Sequence, residues 1–586
     1  MRRFHHLPFV FTLVLALSVV VQGPANADVS VALKKAYIAS SRHFGIVNPG
    51  GLLAATAAAD GEAVAGTTAP AGSARSVDRD LHNVQVNDPA IDNVQEFAGT
   101  RAFEFSIQSE TSIARAGGNI LVGYNSSADQ PIVSTPNGLF FTHRHFSGYS
   151  VSHDGGKSWA SGFVPANAGS PFTFGDPSVV ADHAGNFYYA HLGFDPASGL
   201  FAVIVNKSTN GGTSFAPAKV AAVDDGSDKE WLAVGRDPVN KDRDNLYLTW
   251  TSFGDAGSEL RFVRSTDGGA TWSAQRTLFA PADTVVLSSF IQFSNPIVDA
   301  SNGRLYIPFL HFSNSDADYI RVLVSDDAGA TFKLLEFNVP GAPDKFAFPN
   351  VTPGTFTDCG TPAGGLRPVL RQGANLGGGR FGLPRYRQAT RLLTQPTAAV
   401  ANGQLYIAIN SSSSQVFGDP SSRSSIRLLS SKDAGMTWSV STLVPATAAD
   451  PQHVMPALSM SDDGDQVAVA YFVQQADGRM RVDVASGQRS GASISFSTGH
   501  VSDSSFDLPP SMNPRPVAGN AFNTTNYDRT VQPCYALGEY LGIVGVGGNR
   551  IAAWGDTRNS WTPPPSSFVP GAHSQPDVFF QRFTSD

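Results

Sequence analysis

Short runs of apolar residues recur along this chain and share one shape. NILVGYNSS starts at Asn119, NFYYAHLGF at Asn186, NLYLTWTSF at Asn245, RLYIPFLHF at Arg304, QLYIAINSS at Gln404, QVAVAYFVQ at Gln466 and RIAAWGDTR at Arg550. Each follows a turn containing Gly or Asn, and before that turn lies another short apolar run, such as PSVVADHAG, PIVDASNG, PTAAVANG or PALSMSDDG. β-branched and aromatic residues in brief runs, punctuated by turn residues, predict strands. From about Asp78 onward no helical period competes with them.

The runs assemble into a repeating unit of strand, turn, strand, third strand, then in most copies a polar octet and a fourth strand. Seven such units can be counted. Four-stranded units at a period of roughly 40–60 residues predict a β-propeller. Seven blades are favoured, and six is the alternative count. The last unit runs out after its third strand, Asp577 to Phe583. An exposed edge strand invites pairing with other chains, so the missing fourth strand is expected from the N-terminal side, within Val77 to Val86.

The octets are STDGGATW from Ser265, SHDGGKSW from Ser152, SDDAGATF from Ser325, SKDAGMTW from Ser431 and the weaker STNGGTSF from Ser208. A decayed trace lies around Ser486 to Phe496. An Asp in a turn accepts backbone N–H groups, Gly supplies unusual dihedrals, and the closing Trp or Phe can bury itself. That chemistry staples a fold, and Asp154, Asn210, Asp267, Asp327 and Asp433 are read as structural. The pattern resembles the Asp-box (BNR) repeat of sialidases and related propellers, over about residues 100–586. The resemblance implies a propeller whose boxes lie on the outer rim, away from any catalytic centre. The Arg-Ile-Pro tripeptide of sialidases does not occur here.

Composition fits an exported all-β chain. Of 586 residues, 57 are Gly and 38 Pro, and only 15% are charged. Arg2 and Arg3, the apolar run Leu7 to Val21 and the small-x-small site Ala25-Asn26-Ala27 predict a signal peptide over 1–27. No other stretch is long enough to span a membrane. Residues 28–76 read as a short helix and a low-complexity linker, and 77–586 as the propeller. The expected location is secreted or periplasmic. A formal charge of −8 argues against nucleic acid as a partner. Cys359 and Cys534 are expected to form a disulfide in an oxidising compartment.

In a propeller, the residue preceding each inner strand recurs around one axis. Aligning the units places Glu110, Asp176, Glu230, Asn295, Gln395, Met455 and Tyr540 there. Such residues can simply satisfy turn backbones. Alternatively they form a polar ring in which Glu110, Asp176 and Glu230 divide acid, base and nucleophile roles. The ends of the second strands supply Tyr124, His191, Trp250, Phe309 with His311, Asn410, Tyr471 and Asp556, as core or as a sugar-stacking surface. Arg101, Arg391 and Arg558 are candidates for gripping a substrate carboxylate, as the resemblance implies. His143 and His145 share a strand face and form a weak metal pair. DPVNKDRDN, from Asp237, is a solvated acidic loop or a calcium loop; otherwise no cofactor is expected.

Together these features predict a monomeric, carbohydrate-active protein. The favoured activity is glycoside hydrolysis, sialidase-like, on an extracellular or envelope glycan. The alternatives are a binding propeller for glycan or protein, and a polysaccharide lyase using His191 or Tyr540.

Overall fold

The computed structural model describes residues 81–91, 108–129, 132–135, 138–141, 144–170, 172–254, 257–281, 289–313, 319–337, 346–347, 395–413, 423–477, 479–490, 493–506, 540–546, 549–561 and 573–584. Residues 1–27 and 28–76, and with them Arg101, His143, Cys359, Arg391 and Cys534, lie outside the described residues.

The described residues are all-β, and among them several sheets form, none of which closes on itself. Each sequence repeat folds as an antiparallel meander. In the third, Ser227–Arg236 pairs with Asp244–Gly254, which pairs with Gly257–Ser265, which pairs with Arg276–Phe279. Short parallel contacts join neighbours, through Arg144↔Phe172 and His145↔Thr173 between the first two repeats and Ser424↔Gln452 between the fifth and sixth. The strand Val84–Gln85 pairs antiparallel with His573–Thr584, so the N-terminal segment supplies the fourth strand of the last sheet.

The sheets stack face to face, and strand alternation decides what each face meets. Along QVAVAYFVQ, Val467, Val469, Tyr471 and Val473 pack with Tyr406, Ala408 and Leu428 of the preceding repeat. The residues between them, Ala468, Ala470 and Phe472, pack with Ala552, Trp554 and Phe579 of the following one. A strand buried on both faces reads as a continuous apolar run, which is why these strands lack a polar side. The same sharing recurs between the first and second repeats (Leu121 with Tyr189), second and third (Leu192 with Trp250), third and fourth (Tyr247 with Ile307) and fourth and fifth (Tyr306 with Ile407). One further cluster joins the seventh to the first, with Ile551, Ala553 and Phe580 against Ile120, Val122 and Tyr124.

Tyr124, Trp250, Phe309 and Tyr471 are therefore core, each at most 1% exposed. Of the two readings open for these aromatics, core or sugar-stacking surface, burial favours core. Trp250 also donates its Nε1 to Asp224 Oδ2 at 2.8 Å, which satisfies the polar end of a buried indole.

The octets join third to fourth strands and repeat one hydrogen-bond pattern. In the third repeat, Ser265 Oγ donates to Asp267 Oδ1 at 2.7 Å and accepts from Gly269 N at 2.9 Å. Asp267 then accepts from Thr271 N at 2.9 Å and from Thr271 Oγ1 at 2.5 Å. Asp154, Asp327 and Asp433 make the equivalent bonds. At Asn210 the polarity of one contact reverses, and Nδ2 donates to Ser214 Oγ at 2.8 Å. Gly156, at φ 96, faces Phe580 so closely that a Cβ would meet its ring at 2.5 Å. Because the strands alternate in direction, the octets lie at the opposite end of each sheet from the starts of the inner strands.

Candidate functional site

Four inner strands carry the same irregularity. The pairing register shifts between Ser109 and Ser112, Gly175 and Ser178, Asp228 and Trp231, and Val454 and Ala457. The first residue of each bulge has a left-handed backbone: Glu110 (φ 55), Asp176 (φ 58), Lys229 (φ 52) and Met455 (φ 50), with Phe293 (φ 58) at the matching place in the fourth repeat. A non-glycine residue there costs on the order of 1–3 kcal/mol, and it persists where its surroundings fix it. A bulge re-aims the side chain of the extra residue.

The bulges correct the sequence alignment. In the third repeat the residue equivalent to Glu110 and Asp176 is Lys229, and Glu230 is the second residue of the bulge. In the fourth it is Phe293 rather than Asn295. Asn295 instead holds two sheets together, its Oδ1 accepting from Ala398 N at 2.8 Å. Ser112, Ser178 and Thr397 do the same, accepting from the backbones of Val179, Leu232 and Leu458.

Lys229 changes the character of the site. Its Nζ lies 3.4 Å from Glu110 Oε2, with both side chains at most 3% exposed. It also sits over the Tyr540 ring, 3.7 Å from the centroid, a cation–π contact. Trp231 packs edge-on against Tyr540 at 5.0 Å between centroids. Asn125 bridges two repeats, donating Nδ2 to Glu110 Oε2 at 3.0 Å and accepting Asp176 N on Oδ1 at 2.7 Å. Gly175 must be glycine for this, since a Cβ would stand 2.1 Å from Asn125 Oδ1. Tyr540 Oη donates to Pro177 O at 3.1 Å. Burial pushes the Tyr540 phenol well above its ordinary pKa, and the charges of Glu110, Asp176 and Glu230 push it the same way. The charges of acids from three repeats thus act on one neutral phenol.

The inner strands also line a cavity of about 330 Å³, walled by Ser112, Trp231, Asn295, Thr397, Ser459 and Ile543 among others. Trp231 belongs both to this wall and to the Tyr540 cluster. Gln395, 5% exposed, lies at the start of the fifth inner strand.

Other candidates stand elsewhere. His191 is fully buried between Ser147 Oγ and Asn206 Oδ1, each at 2.7 Å. Asn206 Nδ2 donates to Pro165 O and Ala216 O, which turns Oδ1 toward the ring, so Nε2 carries the proton and Nδ1 accepts from Ser147. Burial lowers its pKa to about 3, and the imidazole is neutral. His311 Nδ1 accepts from Arg321 Nε at 3.0 Å. Arg558 is held by Asp556 and Asp503 and lies over the Phe579 ring, at the junction of the sixth and seventh repeats. His145 pairs with Asp129 at 2.7 Å. Asp237 accepts from Val239 N, Asn240 N, Asn245 Nδ2 and Arg243, so its own turn uses both oxygens. Among the described residues, no group of three or more His, Cys, Asp or Glu is arranged to hold a metal ion. Nor is any helix there long and apolar enough to cross a membrane.

No protein-family model matches this sequence, and no curated protein matches it. Among solved structures it is similar to a Dyadobacter fermentans protein of unknown function, at 12% identity and TM-score 0.33, over 72% of this chain and 97% of that one. It is also similar to a Trypanosoma rangeli sialidase in complex with sialic acid, at 12% identity and TM-score 0.36, over 87% of this chain and 60% of that one. A third is a Hadza microbial sialidase, at 12% identity and TM-score 0.36, over 76% and 75%. A likeness at this level assigns no chemistry to the chain.

Proposed function

We propose that this chain is an exported, seven-bladed Asp-box propeller and a glycoside hydrolase. Its reaction centre lies at the starts of the inner strands. The observation that carries the reading is the buried contact of Glu110 with Lys229 over the Tyr540 ring, at a bulge position that Asp176 shares and Glu230 adjoins. The ring is supported by the sequence of shared apolar clusters, whose last member joins the seventh repeat to the first, and by the inner strands lining one cavity.

Hydrolysing a glycosidic bond takes one carboxyl to protonate the leaving oxygen and one carboxylate to attack the sugar or activate water. Glu110, tied to the Lys229 ammonium, is the anion of the set. Asp176 and Glu230 are the candidates for the acid. Tyr540, kept neutral and with its proton held by Pro177 O, positions Lys229. The cavity beside Trp231 gives a sugar ring an apolar face to lie on. The chain acts as a monomer on a glycan and uses its own side chains for the chemistry.

The test is an endpoint assay of the purified protein on a panel of neutral, basic and acidic glycans, reading new reducing ends together with the ultraviolet absorbance of unsaturated ends. Reducing ends that disappear in Asp176→Asn or Glu230→Gln, without absorbance, support hydrolysis at this centre. Absorbance in place of simple hydrolysis moves the reading to a lyase. Glycan binding without either product makes the protein a binding propeller.

A further inference from the structure

The centre is richer in acceptors than in donors. Residues 108–112, 172–178 and 227–231 open three consecutive inner strands and carry four acids, Glu110, Asp176, Asp228 and Glu230, against one base, Lys229. Gln292, 7% exposed, donates its Nε2 to Asp228 Oδ2 at 2.6 Å. A carboxylate only accepts, so this bond fixes which way the amide points. Gln292 Oε1 is then a buried acceptor without a hydrogen-bond partner, and Gln395 Oε1 is another. Buried acceptors are rarely left unsatisfied in a finished site, and a ligand is one source of the missing donors. Asp228 itself is half-buried, so the acidic group has an accessible edge.

Building on the reading of a glycan site at this end, we propose that its ligand is a sugar bearing a protonated amine. An ammonium brings three donors and one positive charge to strand starts that, among the described residues, carry four acids against one base. A carboxylate-bearing sugar would add a further anion and further acceptors to the same place. A neutral, N-acetylated sugar supplies donors without the charge.

Calorimetric titration of the full chain at mildly acidic pH tests this, using a glucosamine tetramer, its fully N-acetylated counterpart and a galacturonic acid tetramer. The glucosamine tetramer is expected to bind at least about tenfold tighter than either of the others. That margin should shrink as salt is added, because it comes from charge. Asp228→Asn should weaken glucosamine binding about threefold, and weaken it more than binding of the acetylated tetramer. The salt dependence is read on the unaltered protein, so it stands even if the variant misfolds. Equal or tighter binding of the acetylated or uronic tetramer, or no binding of any of the three at millimolar concentration, overturns the inference. Binding is read without turnover. Preferred binding of the amine without cleavage would sink the hydrolase reading alone, and cleavage of other glycans without amine preference would sink this inference alone.

Discussion

Lys229 occupies a left-handed bulge position, is nearly inaccessible, and touches Glu110 and Tyr540 at once. Removing one partner of a buried ion pair is far costlier than never having built it. Lys229→Met should lower the unfolding free energy by about 3–5 kcal/mol, and adding Glu110→Gln should recover part of that loss. Urea midpoints of the single and double variants measure both, and a single variant as stable as the parent would refute the pairing. The octet aspartates give a second, pH-dependent expectation. For Asp267 and Asp327, burial opposes ionisation, but the hydrogen bonds from Thr271 and Ser265, and from Thr331 and Ser325, outweigh it and hold both near a pKa of about 2. A carboxylate depressed in the fold stabilises it fully above its ordinary value of 3.8, and that contribution fades as pH falls toward about 2. The thermal midpoint should therefore fall across this window, and less steeply in Asp267→Asn/Asp327→Asn. Asn210 shows that the octet can be built with an amide. An unchanged slope would count against these bonds. Glu110, Asp176 and Tyr540 could be found from sequence because they precede recognisable strands. Lys229 was missed because a bulge inserts a residue without leaving a mark in the apolar pattern, and the neighbouring Glu230 matched the acidic residues of the other repeats.

The elements are coupled through their ends. Octets receive donors from the repeat before them: Arg276 NH1 bonds Ala330 O at 2.9 Å, Tyr306 Oη bonds Ala434 O at 3.4 Å, and Lys207 Nζ bonds Gly268 O at 3.4 Å. The octet thus ties one sheet to the next as well as turning its own chain. The N-terminal segment is the other tie. Asn83 exchanges backbone and side-chain bonds with Asp503 at 2.9 and 2.7 Å, and Asn87 does so with Asp577 and Val578, each at 2.8 Å. Deleting the chain through Asp88 would expose the edge of the strand carrying Phe579 and Phe580, and exposed edges pair with other molecules. The truncated protein should melt earlier and self-associate in sedimentation, whereas a monomer of unchanged midpoint would show the strand to be dispensable. That a strand near Val77–Val86 belongs here was legible from the incomplete last repeat. The side-chain exchanges at Asn83 and Asn87 were not, since they join residues more than 400 positions apart.

At the scale of the whole molecule, the two ends of the sheets do different work. The octet end is a set of local turns, three of them tied to the repeat before. The other end gathers residues from repeats far apart in sequence, placing Glu110 and Lys229 in contact across 119 positions. Strand order within the repeats was legible because the second strands are buried on both faces and so write long apolar runs. The role of His191 was not, since its burial between Ser147 and Asn206 depends on which sheets become neighbours. The most direct measurement compares Glu230→Gln with Asp267→Asn, reading turnover on the cleaved glycan and thermal midpoint side by side. Turnover lost with the midpoint kept for Glu230→Gln, and the midpoint lowered with turnover kept for Asp267→Asn, is the expected result. Full turnover in Glu230→Gln, or turnover abolished in a folded Asp267→Asn, would contradict a reaction centre at the inner strand starts.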